Sequence, residues 1–223
     1  MESMRKISEG ILMRNFKRGY ILFKNVIEPL MGLLLFIILG PLMLLIALWI
    51  KLDSPGPIFF MQTRVGTHQN HFQMLKFRTM KIETPKNTPT HLLKTPDQWL
   101  TRSGRILRKT SLDELPQLWH IIQGKMSFIG PRPALWNQYD LIEARETHGV
   151  HTLKPGITGY AQVYGRDALE IPEKASLDGY YVTHVSMLLD LKILLKTISA
   201  VLKSDGVIEG GTGTMNHDKD DIS

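Results

Sequence analysis

The chain has 223 residues and no cysteine, which removes disulfides, thiolate zinc sites and cysteine nucleophiles from consideration. Its formal net charge of +6 suits a nucleic acid, an anionic lipid or a phosphorylated substrate. The length accommodates one domain with a proper core and an appended segment. The histidines are scattered; His148 and His151 are close, but no HExxH-like ligand spacing occurs, so a transition-metal site is not expected.

Residues 29–50 carry no charge and are dominated by Leu, Ile and Met. About 20 such residues suffice for a helix to cross a bilayer. The run is too long, starts too far in and lacks the small-residue site expected of a cleaved signal peptide. Gly40-Pro41 falls at its middle, where proline removes a helix bond and clashes with the preceding turn, so a sharp bend is expected. Both flanks are basic, with Arg14, Lys17, Arg18 and Lys24 before and Lys51, Arg64, Lys76 and Arg78 after. Cations tend to stay on the cytoplasmic side of a membrane. The expectation is therefore a helix that enters one leaflet, bends near Pro41 and returns, in preference to one that spans. Prolines do occur in spanning helices.

After the turn Asp53-Ser54-Pro55-Gly56-Pro57, residues 58–62 and 72–77 read as two short strands of a hairpin. The second strand delivers Lys76 and Arg78 at alternate positions, hence on one face. They form either a solvated strand face or a phosphate grip. Residues 81–98, with Pro85, Pro89 and Pro96, read as a mobile loop. Helices are expected at about 111–123 and 134–148. The glycines from Lys154 to Arg166 imply close backbone approach, or merely tight turns. Residues 186–203 form an amphipathic helix with Leu188, Leu191, Leu195, Ile198 and Leu202 at helical spacing and Lys192, Lys196 and Lys203 interspersed. Such a stripe packs on a core or lies in the headgroup plane. The Gly- and Asp-rich tail after Ser204 reads as disordered.

The most informative stretch is Ser111-Leu112-Asp113-Glu114-Leu115-Pro116-Gln117-Leu118, two adjacent acids between apolar residues. Arg105, Arg108 and Lys109 precede it and Gly130-Pro131-Arg132-Pro133 follows. Ser111 and Glu114 have capping-box spacing, with Asp113 as a first-turn acid. Alternatively a helix starting near Glu114 keeps Pro116 in the first turn, where it is tolerated. Both acids then face a cleft, suited to metal and phosphate.

In order along the chain stand Ser54-Pro55-Gly56-Pro57-Ile58-Phe59-Phe60, Gln62-Thr63-Arg64-Val65-Gly66, Lys76-Phe77-Arg78-Thr79-Met80 and Leu107-Arg108-Lys109-Thr110-Ser111-Leu112-Asp113-Glu114-Leu115-Pro116-Gln117-Leu118. Then come Met126-Ser127-Phe128-Ile129-Gly130-Pro131-Arg132-Pro133, Lys154-Pro155-Gly156-Ile157-Thr158-Gly159 and Ala161-Gln162-Val163-Tyr164-Gly165-Arg166. With this series the chain resembles the bacterial sugar transferases, the monotopic phosphoglycosyl transferases. The resemblance covers roughly Lys24 to Ser204.

The resemblance implies transfer of a sugar-1-phosphate from a UDP-sugar to undecaprenyl (polyprenyl) phosphate with release of UMP, the first membrane step of exopolysaccharide, capsule or glycoprotein-glycan synthesis. It makes Asp113 the nucleophile, which forms a covalent phospho-sugar intermediate, and Glu114 the Mg²⁺ ligand. A carboxylate is a competent covalent nucleophile, and a metal with cations suits phosphoryl transfer. Lys76, Arg108 and Arg132 correspond to phosphate-contacting residues, with Arg78 beside Lys76. Gln162 and Arg166 contact nucleotide or sugar, or else hold loops. Asp178 falls on an acid of the family pattern and is a substrate-site candidate.

The implied fold is α/β, mostly helical with a small β-hairpin or sheet. It has an N-terminal re-entrant membrane helix bent near Pro41 and amphipathic interfacial helices. The expected parts are an N-terminal extension (1–23), the re-entrant helix (24–51), a catalytic domain (52–204) on the cytoplasmic face of the bacterial inner membrane, and a tail (205–223). Partners are UDP-sugar, polyprenyl phosphate and the lipid bilayer, with no nucleic acid; homo-oligomerisation stays open. The chain departs from the family pattern where Gly40-Pro41 replaces Ser-Pro, Glu28 ends a stretch that usually reads Lys-Arg-x-Phe-Asp, and His120 replaces an asparagine. Rival readings are a UDP-releasing glycosyltransferase and a non-enzymatic membrane-surface adaptor.

Overall fold

A computed structural model describes residues 2–84, 96–165 and 169–202. Helix α1 (Glu2–Asp53) leads into the antiparallel hairpin β1 (Phe59–Val65) and β2 (His71–Phe77), in which Phe60 faces Lys76 and Gln62 faces Met74. There follow α2 (Arg102–Lys109), a 3-10 turn over Leu112–Gln117, α3 (Leu118–Ile122) and β3 (Ser127–Ile129). Next come α4 (Tyr139–Glu146), β4 (Gly156–Thr158), α5 (Tyr160–Tyr164), α6 (Ile171–His184) and α7 (Met187–Leu202). Strands β3 and β4 pair in parallel, Ser127 with Gly156 and Ile129 with Thr158.

The hairpin and the amphipathic helix stand where the sequence puts them. The helix expected over 134–148 starts later, at Tyr139, because Leu135 bridges to Arg64 and its N–H is taken by the Gln138 side chain at 2.8 Å. Of the loop expected over 81–98, residues 85–95 lie outside the described residues, as does the tail.

Helix α1 organises the rest. Tyr20 and Ile21 pack on Ile129, Tyr181, Val185 and Ile193. Leu35, Phe36 and Leu39 pack on Leu118, Ile121 and Met126. Ile46 and Ile50 join Phe77 and Leu107 in a third cluster. Lys24 adds a buried ion pair with Asp190 of α7, and Asp53 accepts from Ser103 N–H (2.9 Å) and Oγ (2.8 Å) at the start of α2. The opposite face of α1 is exposed and apolar, through Leu33, Leu34, Ile37, Ile38, Leu44, Leu45 and Leu48. The segment Asn15–Asp53 is long and apolar enough to cross a membrane. Helical backbone continues on both sides of Gly40-Pro41, so the bend expected there is not a break in the helix. The stretches before and after it pack on the same body.

Candidate active site

The acid pair sits on the 3-10 turn, and the local backbone explains how. Ser111 adopts the left-handed region (φ 57°), which costs a residue with a Cβ roughly 1–2 kcal/mol, and it makes no side-chain cap bond. Of the two readings of this stretch, the capping box offered by the S-x-x-E spacing is therefore absent. Glu114 instead turns to cations from other elements, while the left-handed residue swings the chain sharply out of α2. The 3-10 geometry also accommodates Pro116 inside the turn. Below it, Leu112 and Leu115 pack against the cluster of Ile46, Ile50, Phe77 and Leu107, which fixes the turn against α1 and the hairpin.

Glu114 Oε1 accepts from Lys76 Nζ of β2 at 3.0 Å and lies 3.2 Å from Arg132 Nη2, in the segment after β3. All three side chains are largely buried. Asp113, beside it in sequence, is only 4% exposed. Arg108, at the end of α2, donates from Nε to Thr79 Oγ1 at 2.9 Å, three residues beyond Lys76. Lys76, Glu114 and Arg132 are thus brought together from three separate elements around the acid pair.

The Gly130-Pro131-Arg132-Pro133 segment is held by a backbone crossing. Gly130 N–H donates to Thr158 O at 2.9 Å and Gly156 N–H to Pro131 O at 3.0 Å. A Cβ on Gly156 would lie 2.1 Å from Gly130 N, and one on Gly159 2.1 Å from Gly130 O. The close approach implied by those glycines is to this loop.

Other candidates stand elsewhere. Arg78 is buried and donates to Pro55 O and, at 2.9 Å, to Ser54 O and Ser54 Oγ, so its guanidinium braces the turn after α1. This gives Arg78 a structural partner in place of the expected phosphate. Asp178, expected at the substrate, is 1% exposed and takes Arg145 Nε (2.9 Å) and Nη2 (2.6 Å) on Oδ2. Gln162 lies on α5, its Nε2 3.4 Å from Ile157 O, and Arg166 lies outside the described residues. Arg145 and Thr79 were not anticipated as site residues. Arg145 had a signal: it follows Leu141 by four residues, which places a charge on the buried face of α4.

His120 of α3 accepts Leu75 N–H on Nε2 at 3.0 Å and meets Phe72 edge-on. Burial lowers its pKa, the positive charge of Lys125 adding to the effect and a Gln123 hydrogen bond opposing it.

Glu114 paired with two cations beside the buried Asp113, on a body packed against a long apolar helix, is an arrangement suited to an anionic, phosphorylated substrate. The family model for bacterial sugar transferases matches residues 19–204. The chain is 43% identical over 159 residues to EpsL of Bacillus subtilis, named as an uncharacterized sugar transferase, covering 71% of this chain and 76% of that protein. It is 41% identical to the UDP-glucose:undecaprenyl-phosphate glucose-1-phosphate transferase of Caulobacter vibrioides, over 82% of this chain and 70% of that one. With the UDP-N-acetylgalactosamine-undecaprenyl-phosphate N-acetylgalactosaminephosphotransferase of Aeromonas hydrophila the identity is 36%, over 84% of this chain but 45% of the longer relative. The chain belongs to the bacterial sugar transferase family. It is a phosphoglycosyl transferase, which sets the adaptor reading aside.

Proposed function

We propose that the enzyme transfers a sugar-1-phosphate from a UDP-sugar to undecaprenyl phosphate and releases UMP, in the synthesis of an extracellular polysaccharide. The observation that carries this reading is Glu114 held between Lys76 and Arg132 beside the buried Asp113. Substrate phosphates bring negative charge to two cations already collected at one point, and arginine's planar fork matches phosphate oxygens. Relatives named for this transfer, with glucose or N-acetylgalactosamine as the sugar, support the substrate class.

In the first step an Asp113 carboxylate oxygen attacks the phosphorus that bears the sugar. The bond from that phosphorus to the bridging oxygen breaks, and UMP departs with the electron pair. In the second step an oxygen of undecaprenyl phosphate attacks the same phosphorus, the acyl-phosphate bond breaks, and Asp113 is regenerated. The low exposure of Asp113 supports this role, because it limits hydrolysis of an acyl phosphate. Lys76, Arg108 and Arg132 hold phosphoryl oxygens and take up their charge.

Magnesium fits the donor set. Among the described residues no cluster of three or more His, Cys, Asp or Glu exists. Mg²⁺ needs only one or two carboxylates when phosphates supply further oxygens, and Glu114 meets that need while Asp113 is left to attack. Bound there, the ion would supply charge stabilisation on the phosphoryl oxygens.

The exposed apolar face of α1 supports a membrane position, with the polyprenyl chain lying along it. Because residues 20–28 and 43–53 pack on one body, both ends of the apolar helix belong on one side of the bilayer, the cytoplasmic side by the charge of its flanks. Holding both substrates at that boundary turns their encounter into a local one.

Intact-protein mass spectrometry of enzyme given UDP-sugar without lipid is the test. The expected result is a phospho-sugar adduct mapped to Asp113, stoichiometric UMP, and neither in Asp113→Asn. UDP as the released nucleotide, or an adduct on another residue, overturns the reading.

A further inference from the structure

The three carbonyls of Pro131, Arg132 and Pro133 are each held by a donor from a different element. Pro131 O accepts Gly156 N–H of β4 at 3.0 Å, and Pro133 O accepts Arg64 Nη1 of β1 at 3.0 Å. Arg132 O accepts Arg145 Nη1 of α4 at 2.8 Å. The last of these is unlike the others, because its donor is itself fixed by a second charge. Arg145 gives Nε and Nη2 to one oxygen of Asp178 on α6, and the two side chains are 2% and 1% exposed. A guanidinium is planar, so a carboxylate gripping one edge sets the direction in which the remaining nitrogen points.

From this geometry we infer that Asp178 and Arg145 are positioning residues for Arg132, acting through its main-chain carbonyl. The inference rests on the proposed role of Arg132 at the phosphates. Proline on either side stiffens the segment: Pro131 and Pro133 have fixed φ, and the residue before a proline is confined to extended conformations. With few backbone rotations left, holding the Arg132 carbonyl sets where its Cα–Cβ bond points, and so where its guanidinium meets Glu114 at 3.2 Å. A buried ion pair is a weak device for stability alone, since desolvation offsets its attraction. Here it orients a third bond. Asp178 thus serves the reaction from a buried position, without touching substrate.

The test uses the full chain in lipid nanodiscs with R145K, D178N and R132A. Lysine keeps the charge that Asp178 needs but cannot span both partners. R145K should change kcat and the UDP-sugar KM in the same sense as R132A, with kcat down about tenfold, since a displacement near 1 Å can cost up to 100-fold. In the R132A background R145K should add less than twofold. D178N, which keeps an acceptor oxygen, should give the same pattern more weakly. Hydrogen-exchange mass spectrometry supplies a readout independent of activity. R145K should speed exchange of the segment around 128–135 while α4 and α6 keep wild-type rates. Multiplicative effects of R145K and R132A, or unchanged exchange at 128–135, overturn the inference. A wild-type enzyme that releases no UMP would instead defeat the proposed function and leave the exchange result to decide this one.

Discussion

Gly156→Ala isolates the backbone crossing behind the site. Gly156 does not have a left-handed φ, so alanine meets no conformational penalty and the whole effect is steric. The new Cβ would stand 2.1 Å from Gly130 N, 2.5 Å from Thr158 O and 2.7 Å from Gly130 Cα, where ordinary contact begins at 3.4 Å. All three are backbone-framework atoms, so no flexible side-chain end can simply swing away. Strands β3 and β4 must part by about 1 Å. Overpacking of this kind costs about 1–3 kcal/mol, and weakening the Gly130–Thr158 and Gly156–Pro131 bonds adds about 1 kcal/mol each. For a chain of this length the total corresponds to a fall of roughly 6–20 °C in apparent Tm. The same parting carries Arg132 off Glu114, so UMP release should fall by about 100-fold. Differential scanning fluorimetry and a UMP-release assay in nanodiscs measure both, with Gly19→Ala as control because nothing lies within 4 Å of its Cβ. A Gly156→Ala enzyme with native Tm and native rate would refute the crossing as the device that holds the loop.

Two further outcomes follow from particular contacts. Arg78→Met removes the guanidinium's three contacts with Ser54 and Pro55, so apparent Tm should fall by roughly 5–10 °C while the UDP-sugar KM stays near wild type; a raised KM at native Tm would restore Arg78 to the phosphate. The pKa values of His120 and His151 are lowered, chiefly by burial, so the unfolded chain binds protons more readily than the folded one. Stability from these groups is complete above the free-histidine pKa of about 6.5 and is lost as pH falls below it. His120→Asn should therefore flatten the decline of Tm between pH 8 and 5.5, and an unchanged slope would argue against His120 as a contributor.

The hairpin was legible because its residues alternate and its turn is polar, and α7 because its leucines recur at helical spacing. The strands β3 and β4 were not, since three-residue strands leave no period to read. Helix α6 was missed for a related reason: Gly179 sits among its buried residues, where an apolar stripe would have signalled the helix. The acids, cations and glycines of the site were all visible as residues. Their partners were not, because Glu114 chose Lys76 and Arg132 from distant segments over the local capping partner its spacing offered. Local pattern and tertiary charge competed, and the charges won. Asp178 and Arg145 belong to the same lesson, since their pairing joins helices 33 residues apart.

The buried stripe of α1 also sets an order of events during synthesis. Its residues are made before the side chains that cover them, which arrive one after another: Phe77 and Leu107 against Ile46 and Ile50, then Ile121 against Leu35, and last Ile193 against Tyr20 and Ile21. Until α7 is made, the end of the stripe at Tyr20 and Ile21 lacks part of its cover, while the end at Ile46 and Ile50 is already closed. The rest of the body would therefore be assembled onto the helix in sequence order, from its Asp53 end back toward Tyr20.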